Sequence, residues 1–169
     1  MQSGSGATSP NDVPGRTHGD RIAVRVSGRA PLAAGDTGRA MSQENVDIVR
    51  RAWEYEIFGR GGEDAVADFA SDIVMNPVEE APSYGRAAIR DNIHRFESAW
   101  DDLQVTAEQF IDAGERVFVT AHFRGRGRAS GITVETRLYE VYTLRDHKVV
   151  RVDEFTDRDE ALEALGLQE

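Results

Sequence analysis

The sequence contains no cysteine. Disulfides, thiolate nucleophiles and cysteine-based zinc sites are therefore excluded. Lysine occurs once, at Lys148, against 19 arginines, so a Schiff-base mechanism has a single candidate, and that residue sits beside a turn. No stretch approaches the roughly 18 apolar residues of a membrane span, and the N-terminus lacks the basic-then-apolar order of a signal peptide. The expectation is a cytoplasmic protein with no membrane partner. No His-x-x-x-His or similar spacing occurs, and no Gly-rich phosphate loop precedes a helix. Neither a metal nor any other cofactor is expected. Positive charge is scarce where it would matter for nucleic acid: residues 41–169 hold 15 basic and 27 acidic side chains, a balance of −12. Such a domain repels polyphosphate.

What is present divides into two parts. Residues 1–40 carry seven of the 16 glycines, three of the five prolines and no sustained apolar period, the composition of a disordered extension. Within it Ile22-Ala23-Val24-Arg25-Val26 has strand character but stands alone. Met41-Ser42-Gln43-Glu44 reads as the fresh start of a domain spanning 41–169, with Ser42 as N-cap and Met41 as a candidate initiator.

Val46, Val49, Trp53 and Ile57 then recur at helical spacing, ended by Gly59 to Gly62. A second short helix is expected over Glu63 to Ala70, a strand over Ile73 to Asn76, a loop from Pro77 to Gly85, and a third helix over about Arg86 to Trp100. Ile89, Ile93, Phe96 and Trp100 share one face of it. Thereafter the period becomes two: Leu103 to Ile111, Arg116 to Arg128, and a hairpin from Ile132 to Thr156 joined at Arg145 to Lys148. Asp159 to Leu165 closes the chain as a short helix. Arg124-Gly125-Arg126-Gly127-Arg128 imitates an RNA-binding tract, yet it alternates in step with a strand and reads as a solvated face. The order implies an α+β fold, with helices over one face of an antiparallel sheet.

The hairpin carries the chemistry. Its even positions, Ile132, Val134, Thr136, Leu138, Glu140, Tyr142 and Leu144, then Val150, Val152, Glu154 and Thr156, form an apolar face interrupted by two acids. A carboxylate on a core face must be paired, protonated or lining a cavity. Adjacent arms of matching parity place Glu140 and Glu154 opposite or one diagonal step apart, where both do not ionise easily. The pair is either a general acid beside a general base, or one of the acids is paired with an Arg or hydrogen-bonded to Asn76 or a tyrosine for structural reasons. Asn76 is either a pocket donor or a turn former before Pro77. Tyr55 and Tyr142 offer phenols to the same space or simply pack. Trp53, Phe96 and Trp100 are core aromatics that can wall a cavity. His122 lies on a polar strand face, at the surface or a dimer interface, and His94 on the polar side of the third helix.

This order resembles the nuclear transport factor 2-like superfamily, shared by ketosteroid isomerases, SnoaL-like polyketide cyclases and limonene epoxide hydrolases. The resemblance covers residues 42–166. It is carried by Ser42-Gln43-Glu44-Asn45-Val46-Asp47-Ile48-Val49-Arg50-Arg51 at the start and Val141-Tyr142-Thr143-Leu144-Arg145-Asp146-His147-Lys148-Val149-Val150 at the end, both SnoaL-like. His147 stands where the family usually has Gly. The resemblance implies a cone-shaped curved antiparallel sheet with three helices packed over its concave face.

Val74-Met75-Asn76-Pro77-Val78 resembles the isomerase segment that holds its general base, with Asn76 in place of the basic Asp. The isomerase's protonated oxyanion donor falls at Glu140, and its tyrosine donor near Ala52, which has no hydroxyl. Glu154 falls at the catalytic acid of the cyclases and epoxide hydrolases, whose Arg and Asp pair is replaced by Ala121 and Phe123. The implied protein is a homodimer that binds a small apolar ligand. As an enzyme it would be a cofactor-independent isomerase, cyclase or hydrolase using Glu154 and Glu140. The alternative is a non-catalytic ligand-binding or dimeric scaffold module.

Overall fold

In the computed structural model, residues 36–55 and 67–166 are described, with side chains from Gln43 to Trp53 in the first segment. The first helix, α1 (Asp36–Tyr55), starts six residues before Ser42. Ser42 is thus inside the helix rather than its cap, and the domain start expected at Met41 falls mid-element. The Arg39-Ala40-Met41 run, all good helix formers, continues the pattern backward. Ile22–Val26, Ile57, the Gly59–Gly62 stop and the first half of the expected second helix, 63–66, lie outside the described residues. The end of that helix, Phe69-Ala70, is strand instead: β1 spans Phe69–Asn76. Its buried residues, Phe69 and Ile73, are spaced as either a helix or a strand face would space them, and ladder pairing with β6 makes the segment strand.

Next come β2 (Ser83–Tyr84), a two-residue strand inside the expected loop, and α2 (Gly85–Ser98). Four longer strands follow, β3 (Trp100–Ala113), β4 (Arg116–Gly127), β5 (Thr133–Arg145) and β6 (Lys148–Phe155), and then α3 (Arg158–Leu165). The strands form one open sheet in the order β2-β1-β6-β5-β4-β3. It is mixed rather than wholly antiparallel, because β1 runs parallel to β6. That pairing follows from connectivity: the chain crosses the sheet through α2 and β3 to β5 before β6 returns beside β1.

The α+β fold class stands, and period-two alternation sorts the sheet's faces. Val117, Val119, Ala121 and Phe123 of β4 point with Leu103, Val105, Ala107, Tyr142 and Val152 into the main core, beneath α1 and α2. On α1 the inward stripe is Val46, Val49 and Trp53, as the spacing predicts. Buried Asn45 donates from Nδ2 to the Gly114 carbonyl at 2.8 Å, tying α1 to the β3–β4 turn. Not every helix shares that face. α3 covers the other side of the sheet, where Phe118 and Val141 meet Ala161 and Leu165 in a second cluster. It is capped by Asp157, which accepts from the backbone N–H groups of Asp159 and Glu160.

Alternation fails at one place in the hairpin. A register shift between Thr143 and Leu144 brings Leu144 opposite Val149, so Val149 is fully buried where Val150 was expected to face the core. At the hairpin's far end, Ile132 is 64% exposed and β5 is exposed on both faces from Thr133 to Arg137. The arginines of the basic tract are exposed too, with Arg126 and Arg128 paired to Asp101. His122 meets Glu135 at 3.0 Å on the same polar face.

The β5–β6 turn has two central residues, Asp146 (φ 51°) and His147 (φ 58°), both left-handed. Two positive φ values in a two-residue loop are the type I′ pattern, which favours Asn-Gly. His147 also approaches exposed Glu44 at 3.3 Å, a contact worth little. Replacing His147 by Gly is expected to stabilise the fold by about 0.5–1 kcal/mol, because relief of the left-handed side chain outweighs the added chain entropy. Thermal denaturation of His147→Gly against the parent checks this; a lower Tm would contradict it.

Candidate functional site

Between the main face of the sheet and the two helices above it lies a cavity of about 290 Å³. That is near the lower end of small-molecule sites. Its floor comes from β4, β5 and β6, its roof from α1 and α2, and one side from the loop after β1. At one end Phe96, Trp100 and Phe123 form a three-ring cluster, with Trp100 edge-on to Phe123 at 4.8 Å between centroids. Gly125 permits that packing: a Cβ there would meet the Trp100 ring at 3.1 Å and the Phe123 ring at 3.2 Å.

The other end holds the acids. Glu140 of β5 and Glu154 of β6 are direct cross-strand partners, the closer of the two arrangements expected. Both line the cavity, so their Cβ atoms stand roughly 5 Å apart. Glu140 is 6% exposed. Tyr142, two residues along the same strand face, donates its hydroxyl to Glu140 Oε2 at 2.6 Å. The indole N–H of Trp53 adjoins the same carboxyl and favours its charged form, but does not reach hydrogen-bond geometry. Burial, and then the charge on Glu154, push the Glu140 pKa up to about 8. Glu154 is raised as well, by burial first and by nearby Glu80, against the lowering effect of the Val78 N–H, which it accepts at 3.3 Å. Of the two, Glu154 is less buried and has a backbone donor, so it ionises first and holds the proton on Glu140.

The loop between β1 and β2 delivers that donor. Pro77 follows the strand and Glu79 takes a left-handed backbone, φ 61°, reversing the chain so that Val78 and Glu80 both line the cavity. Glu80 accepts from buried Asn92 of α2 at 3.3 Å and lies 3.7 Å from Arg95. Among the described residues, the charged groups of the cavity wall are Glu80, Glu140 and Glu154, with no Arg, Lys or His.

Of the residues singled out from sequence, Glu140, Glu154, Tyr142, Trp53, Phe96 and Trp100 meet around this cavity. Asn76 does not. Its Nδ2 donates to Asp153 at 2.6 Å, on the opposite side of the sheet, where Arg151 also binds Asp153. The fully buried Ile73 sets the register of β1, turning Met75 inward and Asn76 outward. The Tyr55 side chain lies outside the described residues. Asn92 and Glu80 were missed. Asn92 had a signal, since it falls at i+3 from Ile89 on the inward stripe of α2. Glu80 had none, because a loop carries no period.

The fold that builds this cavity, an open sheet under a helical roof, is shared by a class of α+β proteins. The chain belongs to the SnoaL-like domain family, whose model matches residues 49–152. The resemblance read from the two ends of the domain is thereby shown. A search of curated proteins finds no match.

Similar solved structures share the fold. An NTF2-like protein of Burkholderia xenovorans LB400 is 27% identical, with a TM-score of 0.59 over 73% of this chain and 97% of that one. A protein of Jannaschia sp. CCS1, assigned as a SnoaL-like polyketide cyclase, is 20% identical, with a TM-score of 0.62 over 85% of this chain and 99% of its own. A protein of Catenulispora acidiphila with a ketosteroid isomerase-like fold, solved with trimethylamine, is 20% identical, with a TM-score of 0.58 over 72% and 94%. Identities this low extend the fold, not the chemistry.

The raised carboxyls have a consequence for stability. Between the ordinary glutamate pKa of 4.5 and about 8, the folded protein holds a proton on Glu140 that the unfolded chain releases. Stability contributed this way is complete below the lower value and is lost as pH rises through the upper one. Tm is therefore expected to fall by several degrees from pH 5 to pH 9. Glu140→Gln, which cannot ionise, should flatten that decline and melt higher than the parent at pH 9; parallel profiles would refute the assignment.

Proposed function

We propose that the protein is a cofactor-independent acid–base catalyst acting on a small, mostly apolar substrate, with ionised Glu154 as the base and protonated Glu140 as the acid. The observation that carries this is the direct opposition of the two carboxyls within a mostly apolar cavity. One raised carboxyl next to another that ionises first is the usual means of keeping an acid and a base together at neutral pH. Among the described residues the wall's charge has one sign, which favours a neutral or cationic substrate over a carboxylate or phosphate.

Isomerisation, cyclisation and hydrolysis all begin with such a proton transfer. Glu154 removes a proton from carbon or water, and the electron pair released moves toward an atom that Glu140 protonates or hydrogen-bonds. Tyr142 supports this by fixing the Glu140 carboxyl. Asn76 has no part in it, being turned to the far face. The Jannaschia relative's assignment as a polyketide cyclase is consistent with chemistry of this type.

Two further features belong to this proposal. The chain acts as a homodimer, using the outer sheet face that α3 leaves open and the exposed Ile132. It resides in the cytoplasm; no described helix is long and apolar enough to cross a membrane. Sedimentation equilibrium at micromolar concentration should give twice the chain mass, and a single-chain mass would remove the dimer.

Catalysis is tested with 2-tetralone, a bicyclic ketone with acidic C–H bonds beside its carbonyl. Proton NMR in deuterium oxide should show enzyme-accelerated loss of the C1 proton signal, and Glu154→Gln should slow it by about 10²–10⁴-fold. Equal rates for parent and variant would leave only the ligand-binding alternative.

A further inference from the structure

The loop after β1 holds an acid where acids already crowd. Glu80 lines the cavity on the side of Glu154, close enough for its charge to push that carboxyl's pKa up. A third carboxyl beside a buried pair is electrostatically unfavourable. Local structure nevertheless keeps it there. Glu79 takes a left-handed backbone, φ 61°, which a residue other than glycine adopts only under strain. Asn92, buried on α2, donates from Nδ2 to Glu80 Oε2 at 3.3 Å. Arg95 approaches the same oxygen from outside at 3.7 Å, an exposed contact that water screens. Both partners take Oε2, and no hydrogen bond to Oε1 occurs among the described residues. Glu154 is in the same condition: the Val78 N–H meets its Oε2, and its Oε1 is open. A strained loop and a buried amide thus hold a carboxylate at a wall where, among the described residues, no cation answers it. A second observation, independent of charge, shows that the space is built for a guest. Trp53 in the roof is 1% exposed, and its Nε1–H, on the cavity wall, has no hydrogen-bond partner among the described residues. A polar group buried in this way is costly unless something enters the space beside it.

From this placement we infer that Glu80 sets the specificity of the cavity and that the substrate is a small primary or secondary amine with an apolar body, its ammonium group held between Glu80 and Glu154. A primary or secondary ammonium carries at least two N–H donors, one for each open carboxylate oxygen. Hydrogen bonds between two charged groups are the strong ones, and they strengthen further away from bulk water. The apolar body lies toward the other end of the cavity, where Phe96, Trp100 and Phe123 form the ring cluster. The guest supplies the positive charge that the wall lacks, so the repulsion between Glu80 and Glu154 turns into a shared attraction. Binding of the substrate then holds Glu154 ionised, which is the form in which it serves as the base. Substitution of Glu80 therefore acts on which molecules enter rather than on the proton transfer. The inference deepens the acid–base proposal by naming its substrate class; it rests on that reading for the reaction but not for binding.

The test compares 2-aminotetralin with tetralin, the same bicycle without the amine, by NMR titration of the full-length protein at neutral pH and low salt. The amine should bind about tenfold tighter or more. Glu80→Gln keeps an oxygen for Asn92 to donate to and removes the charge. It should weaken the amine by about fivefold or more while leaving tetralin affinity within about twofold. Equal affinities of amine and hydrocarbon in the parent would overturn the inference. So would an amine margin that survives Glu80→Gln, which would assign the cation to Glu154 alone, or an equal loss for both ligands, which would make Glu80 a support of the cavity's shape. An overturned amine site with deuterium exchange of 2-tetralone still dependent on Glu154 leaves the acid–base proposal standing. An amine margin that depends on Glu80 in a protein that exchanges no 2-tetralone supports the amine site and removes the catalysis, and binding of neither ligand overturns the amine site outright.

Discussion

Everything distinctive about this molecule depends on one unfavourable placement, the burial of Glu140 directly across the ladder from Glu154. Taking a carboxyl out of water disfavours its charge, and a second acid one strand away disfavours it further. The surrounding structure keeps the group where it is. Tyr142 binds it from the same strand, the roof helix closes over it with Trp53, and the sheet register gives it no solvated alternative. A carboxyl held in this way must remain neutral at neutral pH, and a neutral carboxyl is a hydrogen-bond donor. The property that makes the site expensive is also what makes it chemically useful.

Much of this was readable in the chain because β-strands report their two faces directly. Alternation along Ile132 to Thr156 identified Glu140 and Glu154 as acids on a core face, and the matching parity of the two arms brought them together. Helical spacing likewise brought Trp53 and Phe96 to the cavity, whereas Trp100, expected at the end of the third helix, reaches it as the first residue of β3, because α2 stops at Ser98. The errors fall where period conveys nothing. In β1 the sequence marks only Ile73 to Asn76 as strand, too short a run to settle its parity, and Asn76 lies on the face opposite to the one expected. The bulge at Thr143–Leu144 shifts one arm by a residue, which no alternation within that arm can reveal. Phe69-Ala70 continued an apolar pattern that suits a helix turn and a strand equally.

Loop contributions were invisible for a different reason. Glu80 enters the cavity through the left-handed backbone at Glu79, a conformation no residue type there advertises. The Val78 N–H that helps Glu154 ionise belongs to the main chain and has no letter in the sequence. Both influence which acid keeps the proton. The division of labour between two identical side chains is thus set by the six-residue loop from Pro77 to Pro82 rather than by the strands that carry them.

The two halves of the β5 strand live under different conditions. From Glu140 to Leu144 it is clamped between α3 and the main core, whereas from Thr133 to Arg137 it has water on both faces. Val134 and Thr136 nevertheless line the cavity. The strand therefore behaves as a cantilever, fixed at the acids and free at the rim. Opening fluctuations concentrate where packing is thinnest. A guest can spread the rim to enter without disturbing the geometry of the carboxyl pair, so admission and chemistry draw on opposite ends of a single strand.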